Sequence, residues 1–292
     1  MAKPRELRRR IKSVQNTRKI TRTMELVATS RLKRAQDRVI ATRPYATALA
    51  EVLAELYAPE LAERFPLLRQ PAGVGRRVAL VVVTSNRGLC GAFNANLIRE
   101  ARRRIEQLEA QGTGVDLHLI GKKGITYFKF TKRPLASQRT DIGDKPTAAH
   151  AADVAAPLMA QFASGAVDGV EVVFSQFKSA VSSPPTVARI LPVEPKAATR
   201  GGGGASPSYI LKPSAEAILA ELLPLYVRNQ VYRALVETAA GFLGAQRTAM
   251  KNATDNAGEM LDSLQRTLNR ARQAQITQEL AEIVGGAEAL KG

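Results

Sequence analysis

Near the start of the chain, apolar and small side chains recur every three or four positions. Leu7, Ile11, Val14, Thr17, Thr21, Met24, Ala28, Leu32, Ala35 and Val39 follow the spacing of one helix face. No glycine occurs from 4 to 57, and Pro44 is the only proline after Pro4. Pro4 suits a first helical turn, where its missing N–H is not needed. The pattern predicts one helix through 1–57, and about forty such residues would span roughly 60 Å. Thr17 and Thr21 thin the seam midway, so this helix needs a partner that holds it loosely. The far end reads similarly. Leu219, Leu222, Tyr226, Tyr232, Leu235, Ala239 and Phe242, then Met250, Ala253, Ala257, Met260, Leu264, Leu268 and Ala271 repeat at three and four. Ser214 is placed to cap this second helix, with Ala217 at the third position instead of the Glu of a full capping box. Pro224 is expected to kink or interrupt it. Gly241, Gly244 and Gly258 each cost about 1 kcal/mol relative to Ala, so they mark close crossings or bends. Two long helices with narrow stripes at opposite ends of one chain pair most simply as an antiparallel coiled coil.

Between them the period changes. Arg77-Val-Ala-Leu-Val-Val-Val-Thr84 is an unbroken β-branched run, the mark of a strand buried on both faces. A loop with Gly88 and Gly91 leads into a helical stretch from Asn94 to Gln111. Val115–Ile120 reads as a strand, Lys122–Phe130 as a short helix or turn, and Leu135–Thr140 as a third strand. Thr147–Ser164 is alanine-rich and helical, and Val170–Phe177 and Thr186–Leu191 are two further strands. Alternation of this kind predicts a small α/β layer structure with a mainly parallel sheet. Gly201 to Gly204 form a flexible loop. The division expected is a helix over 1–57, an α/β domain over 76–195, a linker over 196–213 and a helix over 214–292.

Charge narrows the possible partners. Of 292 residues, 43 are Lys or Arg and 26 are Asp or Glu, a net +17. Residues 1–43 hold 14 basic against three acidic side chains (Glu6, Glu25, Asp37), whereas 216–292 hold eight against nine. One end is therefore strongly cationic and attracts something acidic: nucleic acid, anionic lipid or an acidic protein. The longest apolar run, Val78 to Val83, is far below the ~20 residues of a membrane span. The basic N-terminus leaves no room for a signal peptide's apolar core, so the chain is expected in the cytosol with at most peripheral membrane attachment.

Candidate chemistry is sparse. A single cysteine, Cys90, and two histidines, His118 and His150, exclude a disulfide framework and a His-rich metal site. The loop Thr84-Ser-Asn-Arg-Gly-Leu-Cys-Gly91 sits between a strand and a helix, where phosphates bind in other folds. It has neither the Gly-Lys-Ser/Thr ending of a P-loop nor GxGxxG, and a tight turn explains its glycines. Cys90 has no histidine placed near it in the pattern, and His118 lies in an apolar strand as a structural residue. Gly121-Lys-Lys-Gly124 is a turn with two exposed charges. No paired carboxylates stand out. For nucleic acid, Trp is absent and aromatics are 5%, which is poor stacking equipment.

Four blocks carry a resemblance. Ile11-Lys-Ser-Val-Gln-Asn-Thr-Arg-Lys-Ile-Thr21 with Met24-Glu-Leu-Val-Ala28, then Arg43-Pro-Tyr45, then Arg87-Gly-Leu-Cys-Gly91, then Ala249-Met-Lys-Asn-Ala-Thr-Asp-Asn256 with Asn269-Arg-Ala-Arg-Gln-Ala-Gln-Ile-Thr-Gln-Glu-Leu-Ala-Glu-Ile-Val284, resemble the γ subunits of F-type ATP synthases, end to end and in order. The resemblance implies a long antiparallel coiled coil of the terminal helices plus a small Rossmann-like α/β foot. It implies one non-catalytic copy per complex, with no cofactor and no metal, inside a hexamer of α and β subunits. The foot would dock on the ε subunit and the c-ring, so that ring rotation drives the catalytic β subunits. It implies β contacts at Met24, Arg247, Gln273, Thr277 and Glu279, an ε and ring contact at Arg87, Gly88, Leu89 and Cys90, and an apical bearing at Ile283 and Leu290. The complex would sit on the cytoplasmic face of a bacterial inner membrane. Acidic β loops would face the basic helix through exposed pairs worth about 0–1 kcal/mol each, weak enough to re-form during rotation. Two departures are visible. Asn86 replaces the family's usual Asp, and Lys212 replaces a glutamate said to touch the ring, so that role is not transferred. The chloroplast regulatory cysteine insertion is missing. A basic coiled-coil nucleic-acid-binding protein is the alternative, and an enzyme with a Rossmann-like domain is the third reading.

Overall fold

The computed structural model describes residues 4–56, 64–70, 76–193 and 214–289. The terminal helices are α1 (Pro4–Leu56) and α5 (Ala215–Ala289), of 53 and 75 residues, roughly 80 and 110 Å long at 1.5 Å per residue. Pro44 and Pro224 lie inside them without ending either helix. The interruption expected at Pro224 is absent for a local reason. The carbonyl freed four residues earlier belongs to the exposed Ala220, where water can satisfy it. The Ser214 hydroxyl does cap α5, accepting from the Ala217 N–H at 3.2 Å.

Between them run β1 (Arg77–Val83), α2 (Phe93–Ala110), β2 (Gly114–Ile120), α3 (Lys122–Phe130), β3 (Ser137–Arg139), α4 (Ala148–Ala163), β4 (Gly169–Ser175) and β5 (Pro185–Leu191). The sheet order is β3-β2-β1-β4-β5. β1 pairs in parallel with β2 and β4, β2 in parallel with β3, and only β5 is antiparallel. That exception follows from connection length, since β4 and β5 are joined by a short loop that allows a hairpin and no crossover. Six of the seven β1 residues are buried, as its continuous apolar run requires. The third strand is shorter than expected, and α4 opens on a capping box between Thr147 and His150.

The chain packs as two compact units, 1–29 with 246–292, and 30–245. In the larger unit the sheet has an apolar cluster on each face. Ala79, Val81, Val83, Val170 and Val172 meet α4 and the Leu219–Leu235 stretch of α5. Leu80, Val82, Leu117 and Leu119 meet α2, α3, the Leu32–Val39 stretch of α1 and Val236–Leu243 of α5. Because this part of α5 lies on a sheet, it buries a broad face that includes Leu223, Val227 and Val231, beyond the narrow seam read from the sequence.

Candidate functional sites on the helix pair and the loop crest

The smaller unit is a helix pair. Thr21 of α1 and Thr254 of α5 are both buried, and their hydroxyl oxygens lie 2.8 Å apart. Three residues earlier on α1, the Arg18 guanidinium lies 3.8 Å from where a Cβ on Gly258 would stand, four residues later on α5. One helix thus rises as the other falls, and the pairing is antiparallel. Extending that register, Pro4 falls level with about residue 271, one helical rise per residue on each side. Exposure agrees: among the described residues Ala271 is the last half-buried position, and Arg272 through Ala287 are exposed. The end of α5 therefore runs on as a single helix for roughly 27 Å. Ile276, Leu280, Ile283 and Val284 sit there on one side, 47 to 67% exposed. Met260 is exposed and Leu261 takes its seam place.

The positions expected to contact β do not form one cluster. Met24 is half-buried and, by the same register, level with about Lys251, one turn from the half-buried Arg247. Gln273, Thr277 and Glu279 are exposed on the projecting end, about 39 Å along the helix from Arg247. There Thr277 donates to the Gln273 carbonyl at 3.0 Å and Gln275 donates to Glu279 at 2.9 Å. Leu290, Lys212 and Gly201 to Gly204 lie outside the described residues. All three acidic side chains near the chain start are taken up by the same helix. Glu6 pairs with Arg10, Glu25 with Arg22 and Asp37 with Lys33, at 2.9 to 3.1 Å. Arg5, Arg8, Arg9, Lys12, Arg18 and Lys19 have no ion-pair partner among the described residues and are exposed.

In the larger unit, loops after β1, β2 and β3 meet in a crest. The Asn86 amide donates to the Thr140 and Ile142 carbonyls at 2.8 and 3.0 Å and accepts from the Lys122 N–H at 2.9 Å. The neutral side chain thus stitches three loops, which a carboxylate at that position could not do by donation. Asp144 pairs with both Arg87 and Arg31. Leu89 is 59% exposed in the left-handed region, with φ 60°, a conformation that costs a leucine free energy. Cys90 beside it is buried, with Asn94 Nδ2 at 3.3 Å from its sulfur. Burial pushes its thiol up, opposed by the Asn94 hydrogen bonds. Asn94 also accepts from the Ser85 N–H at 3.0 Å, so the turn before α2 is closed by side chains. Gly121 is obligatory: its φ is +98° and a Cβ would meet the Thr84 carbonyl oxygen at 2.2 Å. His118 bonds Ser137 through Nδ1 at 2.7 Å, and burial lowers its pKa.

In a doubly wound sheet ligands enter where the strand order reverses, at the carboxyl ends of the strands. Here that point lies between β1 and β4, and α5 lies across it with Thr238 bonded to Ser175 at the end of β4, while a cavity of about 30 Å³ remains between α5 and the ends of β1 and β2. That is room on the scale of one water. A more open cleft between α2 and α3 is lined by Arg102, Glu106, Glu109 and Arg133, which pair among themselves. Among the described residues no three His, Cys, Asp or Glu side chains are placed to hold a metal ion. No helix there is long and apolar enough to cross a membrane.

The sequence model of the family described as ATP synthase matches residues 3–290. The ATP synthase gamma chain of Gemmatimonas aurantiaca is 64% identical over 292 residues, covering all of both chains. The chain belongs to the ATP synthase gamma chain family. The gamma chain of Leptospira biflexa is 43% identical over 290 residues, 99% of this chain and 100% of that one. Two solved structures share the fold. The Tetrahymena thermophila mitochondrial ATP synthase, solved as central stalk and c-ring, matches at 22% identity with TM-score 0.60, over 80% of this chain and 99% of that chain. The rotor of the Euglena gracilis mitochondrial ATP synthase matches at 18% with TM-score 0.64, over 94% and 98%. As a gamma chain this is a non-catalytic subunit.

Sequence reading missed Asn94, Glu237 and Thr238. The last two had a signal: they are the only charged residue and the only hydroxyl within Ala234-Leu-Val-Glu-Thr-Ala-Ala-Gly-Phe-Leu-Gly244. A carboxylate in so apolar a run needs a buried partner.

Proposed function

We propose that this chain is the rotating shaft of a bacterial ATP synthase, carrying the motion of the membrane c-ring to the catalytic β subunits. The complex would be peripheral on the cytoplasmic face of the inner membrane, with one copy of the chain in a hexamer of α and β. The observation that carries this is the single-helix end of α5 beside a two-helix stretch whose seam is partly polar. A lone helix with an apolar side and no internal partner is built to turn inside a sleeve that other subunits provide. Helix spacing divides the β contacts into two zones. Met24 and Arg247 would meet β beside the basic stretch of α1, and Gln273, Thr277 and Glu279 would form the catch nearer the tip. Ile283 and Leu290 would run in the apical bearing. The functional division is a shaft from 1–57 and 214–292, a foot over 76–195 and a linker over 196–213.

At the crest, Arg87, Gly88 and Leu89 would contact ε and the ring, with buried Cys90 holding the loop from behind. Unpaired cations on α1 suit acidic β loops, each contact small enough to exchange during rotation. Purifying the complex through a tag on this chain tests the proposal. The α, β and ε subunits should co-purify, and membranes lacking the chain should lose ATP-driven proton uptake. Salt-sensitive RNA or DNA in place of those subunits would favour a nucleic-acid-binding coiled coil.

A further inference from the structure

The helix α5 crosses from one face of the sheet to the other within the larger unit. Residues up to Leu235 belong to the cluster on one face, and those from Val236 belong to the cluster on the other. At the crossing point the contacts change from apolar to polar. Glu237 and Thr238 are 2 and 3% exposed. Thr238 Oγ1 accepts the Ser175 N–H at 3.2 Å, at the last residue of β4. Glu237 Oε2 accepts the Phe177 N–H at 3.0 Å, while Oε1 is held by Arg233 Nε at 2.6 Å. The Phe177 carbonyl accepts in turn from Arg43 of α1 at 3.4 Å. One peptide segment after β4 therefore grips both long helices.

The next turns of α5 carry glycine where the same segment presses closest. A Cβ at Gly241 would stand 2.7 Å from Ser175 Oγ and 3.1 Å from Ser183 Cβ. At Gly244 it would stand 2.7 Å from the Ala180 carbonyl oxygen. We propose that Glu237, Thr238, Gly241 and Gly244, seated against the Ser175–Ser183 segment, are the joint through which the sheet domain turns the shaft helix. This rests on the rotor reading above and names where the torque enters. Apolar contacts are non-directional and tolerate slip, whereas hydrogen bonds fail outside a narrow geometry. A side-chain atom about 6 Å from the helix axis moves about 3 Å for a 30° turn, more than these bonds survive. Buried polar groups are costly where nothing requires them, and here they lie where α5 passes from one apolar cluster to the other. The strand-end crevice that holds ligands in related sheets holds the protein's own axle.

The test uses the assembled synthase in inverted membrane vesicles and reads protons taken up per ATP hydrolysed, with the amount of this chain per complex. Thr238→Val keeps the shape and removes the acceptor, and Gly241→Ala inserts a methyl against Ser175. Each should leave hydrolysis near the wild-type rate while raising the slipped fraction about fivefold, the factor set by one lost hydrogen bond. Thr238→Ser, and Gly241→Ala combined with Ser175→Ala and Ser183→Gly, which remove the atoms the new methyl would meet, should restore the wild-type ratio. An unchanged ratio in Thr238→Val and Gly241→Ala overturns the joint. So does a fall that neither companion variant repairs, or one that merely tracks loss of the chain from the complex. Vesicles with the chain deleted that still couple would instead overturn the rotor reading.

Discussion

The buried threonine pair offers a direct measure of how tightly the two-helix unit is held. Thr21 Oγ1 lies 3.1 Å from the Arg18 carbonyl, and Thr254 Oγ1 lies 2.8 Å from the Met250 carbonyl and 2.8 Å from Thr21. Two hydroxyl protons serve three contacts, so one bonds across the helices and the other bonds within its own helix. Thr254→Val removes the cross-helix acceptor or donor, a net loss of about 1 kcal/mol. The added buried methyl returns about 0.8 kcal/mol, and Thr21 keeps its own Arg18 carbonyl. The single variant should therefore change stability by less than about 0.5 kcal/mol, and the double variant Thr21→Val with Thr254→Val, which exchanges two bonds for two buried methyls, should also stay within about 0.5 kcal/mol of wild type on the same magnitudes. Thr21→Ala, which leaves a gap, should lose about 1 kcal/mol or more. Hydrogen exchange of amides in 14–28 and 247–261 in the full-length chain reads these differences. Spin labels at exposed positions on both helices would show the double variant sampling more than one register, since polar seam residues fix register at a cost in stability. A loss above about 2 kcal/mol for Thr254→Val alone would refute the reasoning. The hydroxyl bridge would then be the main fastening of the pair, and the seam would not be loosely held.

Two further outcomes follow from burial. His118 has its pKa lowered by burial against a weaker opposing pull from Asp116, so the unfolded chain takes up a proton first. Stability should fall as pH drops below about 6.5, until the folded imidazole also protonates. Denaturant midpoints of His118→Gln between about pH 7 and 5.5 should lack that slope, and parallel slopes in both proteins would contradict the assignment. Ile283 is 67% exposed, so Ile283→Asp should leave melting of the isolated chain within about 0.5 kcal/mol of wild type. Association with α and β should weaken about tenfold or more, because a carboxylate would enter an apolar sleeve, and equal affinity would remove Ile283 from the bearing.

Much of this protein is written in its local pattern. Stripes at three and four residues, the absence of glycine before 57 and the β-branched run at 77–83 are enough for two long helices around a parallel sheet, because burial of one face sets the period of each element. The family blocks added the proposed contact positions, which periodicity alone would leave as solvated polar residues. Tertiary structure decided the rest, since it depends on what lies opposite each residue. Nothing in the local pattern makes α5 outrun its partner; that follows from the Thr21–Thr254 register. Helix spacing along the chain already puts Arg247 far from Gln273, but only the register of the pair brings it near the level of Met24. Pro224 looked like a break because a sequence window cannot see that the orphaned carbonyl faces water. Glu237 and Thr238 stand in an apolar run for a reason visible only once α5 lies across the end of β4. Local sequence sets which face of an element is buried, and only the packed chain sets which atoms meet there.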